Sequence, residues 1–380
     1  MDEAELSEIK ALRRELHRHP ERSGQEQETA RRIERFLARY RPDRVVKVAD
    51  TGRVFLFESG EQGPTVLFRA DLDALPIEEL NDHLPHRSAL PGTAHLCGHD
   101  GHMAILTALA ARIARRRPRR GRALLLFQPD EETGQGAHRV VTDPAFAELD
   151  PDYVFGLHNI PGVPKNELVL RRGTFAAASR GVIIDLQGRT SHAGEPENGL
   201  NPVHAMGRLV PICTEIPRRG DYEGFVLVTI IHLRLGEPAF GTSPGKGSVM
   251  LTLRSHSDAD MTRLVERVED AARREAAREG LGISIRYTEI FPALVNDDTC
   301  MDLVEQAAAE TGEVTVGWRE EPFRWSEDFS YLLNHSRGAF FGLGSGSDQP
   351  DLHNPDYDFP DELIAAGSAL FFALYRRLLG

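Results

Sequence analysis

The sequence predicts an α/β protein in which a mixed-sheet domain is interrupted by an inserted two-layer α+β block. Short apolar runs alternate with amphipathic helical patterns over the first half of the chain, as they do in α/β folds. The run at 123–127 (ALLLF) is continuously apolar, which is typical of a strand buried on both faces. Near residue 175 the pattern changes to strand, helix, strand, strand, helix and strand, a common two-layer order.

The first half of the chain contains three predicted helices and five predicted strands. The helices are predicted at about 5–19, 26–41 and 102–116, and the strands at 44–48, 54–57, 65–68, 123–127 and 153–157. Amphipathic spacing indicates the helices, whereas β-branched and aromatic residues favour the strands.

The second half begins with the inserted block. Strands are predicted at 181–186, 225–231, 248–253 and 283–287, with helices at 202–216 and 258–279. A helix at 298–311, a strand at 339–343 and a helix at 360–379 follow. We therefore expect a discontinuous domain of residues 1–177 and 291–380, and an inserted domain of residues 178–290.

Composition excludes several classes of function. The 380 residues carry a net charge of −13, which disfavours nucleic acid as a partner because duplex binding rests on phosphate neutralisation. The single basic run, at 115–122, is broken by Pro118 and Gly121 and is typical of a solvated helix end. No apolar run is long enough for a membrane span, and no signal-peptide pattern is present, so we expect no membrane association and a cytoplasmic location. Three cysteines are too few for a disulfide framework.

Metal-ligand and acid–base residue types follow three of the predicted strands. Asp71 and Asp73 follow the first, Glu131 and Glu132 the second, and His158 the third. Because ligand sites in open α/β sheets lie at the carboxyl ends of the strands, we expect these side chains to lie close together.

The segment 95–102 contains three histidines, a cysteine and an aspartate in eight residues. Cys97 and His99 can reach one metal ion if Gly98 lets the backbone turn sharply. The alternative is a polar loop that caps the following helix, with Asp100 near its N-terminus. Together with the carboxylates and His158, the segment favours a metal site. Unaided, His353 is read as a turn residue and His192 as an exposed loop residue.

The chain resembles the metal-dependent amidohydrolases that include hippurate hydrolases and indoleacetyl-amino-acid hydrolases, within the aminoacylase and carboxypeptidase-G-like peptidase group. The resemblance rests on ordered blocks that span nearly the whole chain. They are RRELHRHPE at 13–21, RADLDALP at 69–76, CGHDGH at 97–102, FQPDEE at 127–132, GLH at 156–158 and LHNP at 352–355. It implies a metallo-exopeptidase-like catalytic domain and an inserted lid domain that often mediates dimerisation.

The resemblance also implies a role for each matching residue. The metal ligands would be Cys97, His99, Glu132, His158 and His353. Glu131 would be the general base, and Asp73 would orient a ligand. His192 would polarise the scissile carbonyl, and Arg254 matches the substrate-binding arginine of the lid. Asp71 stands where wider relatives carry a metal-binding histidine, and its role is left open. We expect two divalent ions per chain, and the mixed ligand set suits zinc, manganese, cobalt or nickel.

The implied reaction is hydrolysis of an amide bond in an N-acyl amino acid or a related small linear amide, by metal-activated water with a glutamate base. The alternatives are dipeptide or carbamoyl-amide hydrolysis at the same site, a silent metal- or ligand-binding homologue, and a hydrolase with Cys97 as nucleophile. The last alternative leaves Glu131 and Glu132 unexplained. The family's lid asparagine is missing from 240–245 (FGTSPG), which predicts altered substrate recognition. A homodimer through the lid domain is a further expectation.

Overall fold

A computed structural model describes residues 1–219 and 221–380. The helices are α1 (Glu3–Arg18), α2 (Gln27–Leu37), α3 (His99–Arg115), α4 (Gly136–Thr142), α5 (Pro144–Ala147), α6 (Val203–Glu215), α7 (Asp258–Arg278), α8 (Asp298–Thr311), α9 (Ser330–Leu333) and α10 (Leu363–Leu379). Short 3-10 segments lie at Ala38–Tyr40, Pro196–Asn198 and Ile216–Arg219.

The strands follow the same chain order. They are β1 (Arg44–Val48), β2 (Gly52–Glu58), β3 (Thr65–Asp71), β4 (Arg122–Gln128), β5 (Tyr153–Pro161), β6 (Glu167–Leu170), β7 (Gly173–Ala176), β8 (Ala178–Gln187), β9 (Ser191–His192), β10 (Val226–Leu235), β11 (Thr242–Ser243), β12 (Lys246–Ser255), β13 (Gly282–Phe291), β14 (Leu294–Asn296), β15 (Thr315–Trp318) and β16 (Arg337–Gly346).

The described residues form two compact units. The first comprises Met1–Phe175, Leu294–Glu321 and Glu327–Gly380, and the second comprises Ala176–Ala293 and Pro322–Ser326. The sequence pattern gave no sign that 322–326 joins the second unit. Its backbone does so because the Phe323 and Trp325 carbonyls both accept from the Ala177 N–H, at 3.0 Å each.

The first unit contains an eight-stranded mixed sheet in the order β1-β2-β4-β3-β5-β16-β6-β15. Strand β3 pairs in parallel with both β4 and β5, whereas β1, β2 and β4 are joined by antiparallel pairing. Helices α3 and α10 pack together over the sheet, where Phe371 contacts Phe68 with ring centroids 5.1 Å apart. The predicted mixed-sheet α/β fold is confirmed.

The second unit contains a four-stranded antiparallel sheet in the order β10-β12-β8-β13. Alternate residues of the central strands, such as Ile184 on β8 and Leu251 on β12, are buried in a core shared with α6 and α7. The chain order of strand, helix, two strands, helix and strand gives the two-layer α+β arrangement that the sequence predicts.

Several elements extend beyond their predicted ends, and others were not predicted. Strands β3, β4 and β5 run on to Asp71, Gln128 and Pro161, because Asp71 still pairs with Gln128 and Pro161 still pairs with Gly346 of β16. Helices α4 and α5 and strands β6 and β7 are short, and short elements carry too little periodicity to be recognised. Within residues 1–219 and 221–380, no helix combines the length and apolarity that crossing a bilayer requires.

Candidate metal centre

The site lies at the carboxyl ends of three adjacent strands of the first unit, in the order β4, β3 and β5. Parallel pairing puts Asp71 level with Gln128, so the aspartates after β3 lie beside the turn after β4 that carries Glu131 and Glu132. His158 lies in β5 itself. The sheet therefore brings these sequence-distant side chains to one edge.

Cys97 and His99 flank Gly98, the N-cap residue of α3. Gly98 has a φ of 89°, a left-handed conformation that glycine adopts without steric cost, and a Cβ there would meet the Asn159 side chain. His99 donates from Nδ1 to the Asp73 carbonyl at 2.9 Å, which leaves the Nε2 lone pair available to a metal. The sharp turn required for Cys97 and His99 to approach one ion is therefore present.

His158 completes a cluster with these two residues. Its Nδ1 donates to the Asn159 carbonyl at 2.9 Å, and its Nε2 lies 3.4 Å from Cys97 Sγ. The ligand atoms of Cys97, His99 and His158 all lie within 4.8 Å of one another, and all three residues are buried. One thiol and two imidazoles at this spacing form a set that a transition-metal ion can bind.

The two glutamates lie in a tight turn after β4. Asp130 has a φ of 59°, a left-handed conformation that costs an L-residue roughly 1–2 kcal/mol and that aspartate tolerates better than most. The Glu132 N–H donates to Asp73 Oδ2 at 3.0 Å. Glu132 Oε1 and Glu131 Oε2 lie 3.7 and 3.9 Å from His99 Nε2, so both carboxylates face the same ring nitrogen.

His353 approaches from the C-terminal part of the chain. It has a φ of 67°, and its backbone N–H donates to the Leu96 carbonyl at 2.8 Å. Its Nε2 lies 3.7 Å from Glu132 Oε2, and its ligand atom lies within 4.8 Å of those of Cys97 and Glu132. The turn that carries His353 is thus fixed directly to the segment that carries Cys97.

The donor set fits a divalent metal. His99 Nε2 and Glu132 Oε1 are buried without a hydrogen-bond partner, which is costly for polar atoms unless a cation or water satisfies them. Burial favours neutral His99, but Asp71, Asp73 and Glu132 raise its pKa to about 10. The carboxylates that attract a proton to this ring would stabilise a divalent cation in the same way.

The pKa values of the remaining candidate ligands are also consistent with a cation at the site. Burial, and then the charges of Glu132 and Glu131, raise the pKa of the Cys97 thiol well above its usual value. Burial likewise raises the pKa of Glu132 to about 7, and it lowers the pKa of His158 well below its usual value. A cation would stabilise the thiolate and the carboxylate, while His158 is already in the neutral form that binds metals.

Sequence reasoning missed a buried ionic network behind the site. Arg69 donates to Gln128, Asp71, Glu327 and Asp328 at 2.7–3.0 Å, and its side chain is almost completely buried. Ligand atoms of Glu131, Glu327 and Asp328 lie within 4.8 Å of one another. Burial and the charges of Glu327 and Glu132 raise the pKa of Glu131 well above its ordinary value. The acidic pair at 327–328, which lies between Trp325 and Phe329, was the available signal.

Asp71, whose role the sequence left open, is held by two neighbours. One carboxylate oxygen accepts from Arg69 Nη1 at 2.7 Å, and the other accepts from His102 Nδ1 at 2.6 Å. Burial favours the protonated form, but Arg69, His99 and His102 lower the pKa of Asp71 well below its usual range. Asp71 is therefore a carboxylate that lies 3.6 Å from His99 Nε2 and adds negative charge to the site.

The other two residues singled out from the sequence belong to the second unit. His192 is exposed on β9, and its Nδ1 accepts from the Gly194 N–H at 3.0 Å, so the neutral ring carries its proton on Nε2. Arg254, on β12, donates from Nη1 to the Arg324 carbonyl at 2.8 Å and to Ser326 Oγ at 3.0 Å. Across residues 1–219 and 221–380, no carboxylate lies within ion-pair distance of Arg254.

A mixed-sheet α/β fold whose strand ends gather thiol, imidazole and carboxylate groups around paired glutamates defines a metal-dependent hydrolase. The chain belongs to peptidase family M20/M25/M40, whose family model matches residues 67–377. This confirms the resemblance recognised in the sequence and the assignment of the chain to the metal-dependent amidohydrolases.

Individual relatives match over nearly the full chain. The chain is 29% identical over 374 residues to a hippurate hydrolase from Campylobacter jejuni, covering 98% of this chain and 97% of that protein. It is 32% identical over 365 residues to an N-acetyldiaminopimelate deacetylase from Exiguobacterium sibiricum, covering 92% and 94%. The crystal structure of Bacillus subtilis YxeP, a dinuclear metal-binding peptidase of the M20 family, matches with a TM-score of 0.82 and 27% identity, covering 100% of this chain and 99% of that one.

Proposed function

We propose that the protein hydrolyses the amide bond of N-acyl amino acids with two divalent metal ions. The observation that carries the proposal is the cluster in which Glu131 and Glu132 both face the unpartnered Nε2 of His99, beside Cys97 and His158. Relatives that match nearly the whole chain are a hippurate hydrolase and an N-acetyldiaminopimelate deacetylase, and both names denote cleavage of an N-acyl amino acid.

The metal ligands in this proposal are Cys97, His99, Glu132, His158 and His353. When bound, the ions supply Lewis acidity, which makes water a nucleophile at neutral pH and polarises the substrate carbonyl. Because zinc, manganese, cobalt and nickel all accept this mixture of sulfur, nitrogen and oxygen ligands, we propose one of these four metals. Asp73 holds His99 in place through its carbonyl and the Glu131–Glu132 turn through its carboxylate.

Glu131 is the proposed general base. It takes a proton from the attacking water and passes that proton to the leaving amine nitrogen, so it ends the cycle in the form in which it began. Burial and the neighbouring carboxylates Glu327 and Glu132 give it a high affinity for the proton, which suits a group that must hold a proton between two transfers.

His192 and Arg254 are the proposed substrate-binding residues of the second unit. His192 donates from Nε2 to the scissile carbonyl oxygen, and the Gly194 N–H favours this tautomer by occupying Nδ1. Arg254 binds the α-carboxylate of the substrate. Support comes from its half-buried guanidinium, whose pKa is lowered by burial, although Glu289 opposes the shift, and which has no carboxylate within ion-pair distance among the described residues.

Turnover of N-acyl amino acids by chelator-stripped protein, with and without added Mn²⁺ or Zn²⁺, tests the proposal. We expect metal-dependent amine release, and we expect Glu131→Gln to keep its metal while turnover falls by roughly 10²–10⁴-fold. The panel includes dipeptides and N-carbamoyl amino acids, and exclusive cleavage of either would replace the proposed substrate class. Full activity of Glu131→Gln would remove Glu131 as the base.

The proposed binding of the substrate carboxylate by Arg254 can be tested separately. Arg254→Ala is expected to raise KM for N-acetyl amino acids but to leave cleavage of the matching N-acetyl amino acid amides unchanged, because only the former carry the carboxylate. Arg263→Ala, another partly exposed arginine of the second unit, is the matched control. Equal effects of Arg254→Ala on both substrate types would contradict the assignment.

We also propose that two copies of the chain associate through the second unit. Strand β10 is an edge strand that exposes Leu227, Ile231 and Leu233, and an unpaired apolar edge is a surface that another strand can cover. Light scattering coupled to gel filtration tests this proposal. A dimer that Ile231→Lys converts to a monomer supports it, and a monomeric wild-type protein contradicts it.

A further inference from the structure

The segment between α1 and α2 carries a buried carboxylate that the proposed chemistry does not use. Glu26 is fully buried at the start of α2. Its Oε1 accepts from the Gly24 N–H at 2.7 Å and from the Asp130 N–H at 2.9 Å, and its Oε2 accepts from Thr51 Oγ1 at 2.8 Å. One side chain therefore joins three separate parts of the first unit.

The contact with Asp130 falls at the backbone position that aims the two glutamates. Asp130 is left-handed and immediately precedes Glu131 and Glu132. Its own carboxylate is turned away, toward Thr133 and Arg139. The Glu26 carboxylate thus fixes the direction of the Asp130 N–H, and with it the course of the chain into the two glutamates.

A second contact from the same segment reaches the other carboxylate of the site. Ser23 Oγ donates to Asp73 Oδ2 at 2.7 Å, and the same oxygen accepts from the Glu132 N–H at 3.0 Å. The Asp73 carbonyl accepts from His99 Nδ1. Ser23 therefore contacts Asp73, which orients His99, and Glu26 contacts the turn that carries Glu131 and Glu132.

We propose that Glu26 and Ser23 are positioning residues that fix the geometry of the metal centre and of its general base. Neither residue is placed among the metal ligands or the acid–base groups. Burial and the nearby Asp73 raise the pKa of Glu26 to about 7, and the protonated form keeps an acceptor at Oε1. The geometry is therefore carried by the shape and acceptor capacity of the side chain rather than by its charge.

The proposal predicts different effects for two substitutions of Glu26. Glu26→Gln keeps an acceptor for the Gly24 and Asp130 N–H groups, and its amide can donate to the Thr51 hydroxyl, so the turn is preserved. Glu26→Ala leaves both N–H groups buried without a partner and frees the turn. Asp260→Ala is the matched control, because the Asp260 carboxylate is also buried and accepts from two backbone N–H groups, of Glu223 and Gly224, in the second unit.

The experiment measures metal release to a chromophoric chelator from the Zn²⁺- or Mn²⁺-loaded full chain, together with kcat, KM and thermal stability. We expect Glu26→Ala to release metal at least tenfold faster and to lose at least tenfold in kcat with a smaller change in KM. Glu26→Gln and Asp260→Ala should retain metal like the wild type. Glu26→Ala that is destabilised like Asp260→Ala but keeps metal retention and kcat would overturn the proposal.

Ser23→Ala removes a single hydroxyl at a partly exposed position, so it carries the test even if Glu26→Ala fails to fold. We expect it to speed metal release about three- to tenfold, and unchanged release would overturn the role of Ser23. Only the kcat readout rests on the proposed function. If the wild type binds metal but cleaves no member of the panel, the proposed function fails, whereas the metal-release comparison still decides the positioning role.

Discussion

Raising the pH should destabilise the first unit through one buried histidine, His17. Its Nδ1 lies 2.9 Å from Asp100 Oδ2, and its Nε2 lies 3.2 Å from Glu79 Oε1. Both partners are carboxylates, so the ring is bound on both sides in its charged form. Burial and Arg13 oppose the charge, but Asp100 and Glu79 raise the pKa of His17 to about 9 from 6.5.

The direction and size of the effect follow from this difference. A pKa that is higher in the folded than in the unfolded chain stabilises the fold fully below pH 6.5, and the contribution is lost as the pH rises through about 9. At 1.36 kcal/mol per pKa unit, the difference amounts to about 3 kcal/mol, which is a large part of the stability of an ordinary domain.

Urea titrations between pH 6.5 and 9.5 measure this contribution. In a Trp325→Phe background, Trp318 is the remaining tryptophan and belongs to the first unit, so its fluorescence reports unfolding of that unit. Between pH 6.5 and 9.5, we expect the free energy of unfolding of the chain with His17 to fall by about 3 kcal/mol more than that of the His17→Asn variant. The variant is less stable at pH 6.5, and the two curves should converge at high pH. Parallel curves would refute the assignment of a raised pKa to His17.

Three further predictions concern the site and the core. His353→Ala should lower the metal content measured by elemental analysis, because it removes an imidazole next to Glu132, and unchanged stoichiometry would exclude His353 as a ligand. Gly98→Ala should destabilise the chain and reduce metal content, because a Cβ at this left-handed position meets the Asn159 side chain; wild-type behaviour would show that the turn is not required. Phe371→Ala should cost roughly 3–5 kcal/mol in urea unfolding because it empties a buried ring site, whereas the fully exposed Phe240→Ala should cost nothing measurable.

The sequence predicts most of the sheet because its strands are long apolar runs. The run at 123–127 appears as β4, and the block of alternating residues around 248–253 appears as β12 in the second unit. The ends of β3 and β4 were underestimated because their last residues, Asp71 and Gln128, are polar. Both residues are buried and accept hydrogen bonds from the buried Arg69, which local periodicity cannot reveal.

The same limit applies to the site. Residue types at strand ends predict that Asp73, Glu132 and His158 lie at one edge of the sheet, because parallel strands finish together. The supporting residues could not be found in this way. Glu26 accepts from the Asp130 N–H 104 positions away, and Arg69 donates to Glu327 258 positions away, and no spacing in the sequence encodes such contacts.

The division of the first unit into separate chain segments has a consequence for biosynthesis. The second unit is almost continuous in sequence, so nearly all its contacts can form as the chain leaves the ribosome. The first unit cannot be completed at that stage, because α10, which packs against α3, and His353, which approaches Glu132, are both translated after the insertion. The N-terminal segment therefore stays incompletely folded until the C-terminal segment has been translated. During this time the Cys97 thiol lacks some of the neighbours that bury it in the folded unit. A chaperone that shields the early segment is expected to raise the yield of metal-loaded protein.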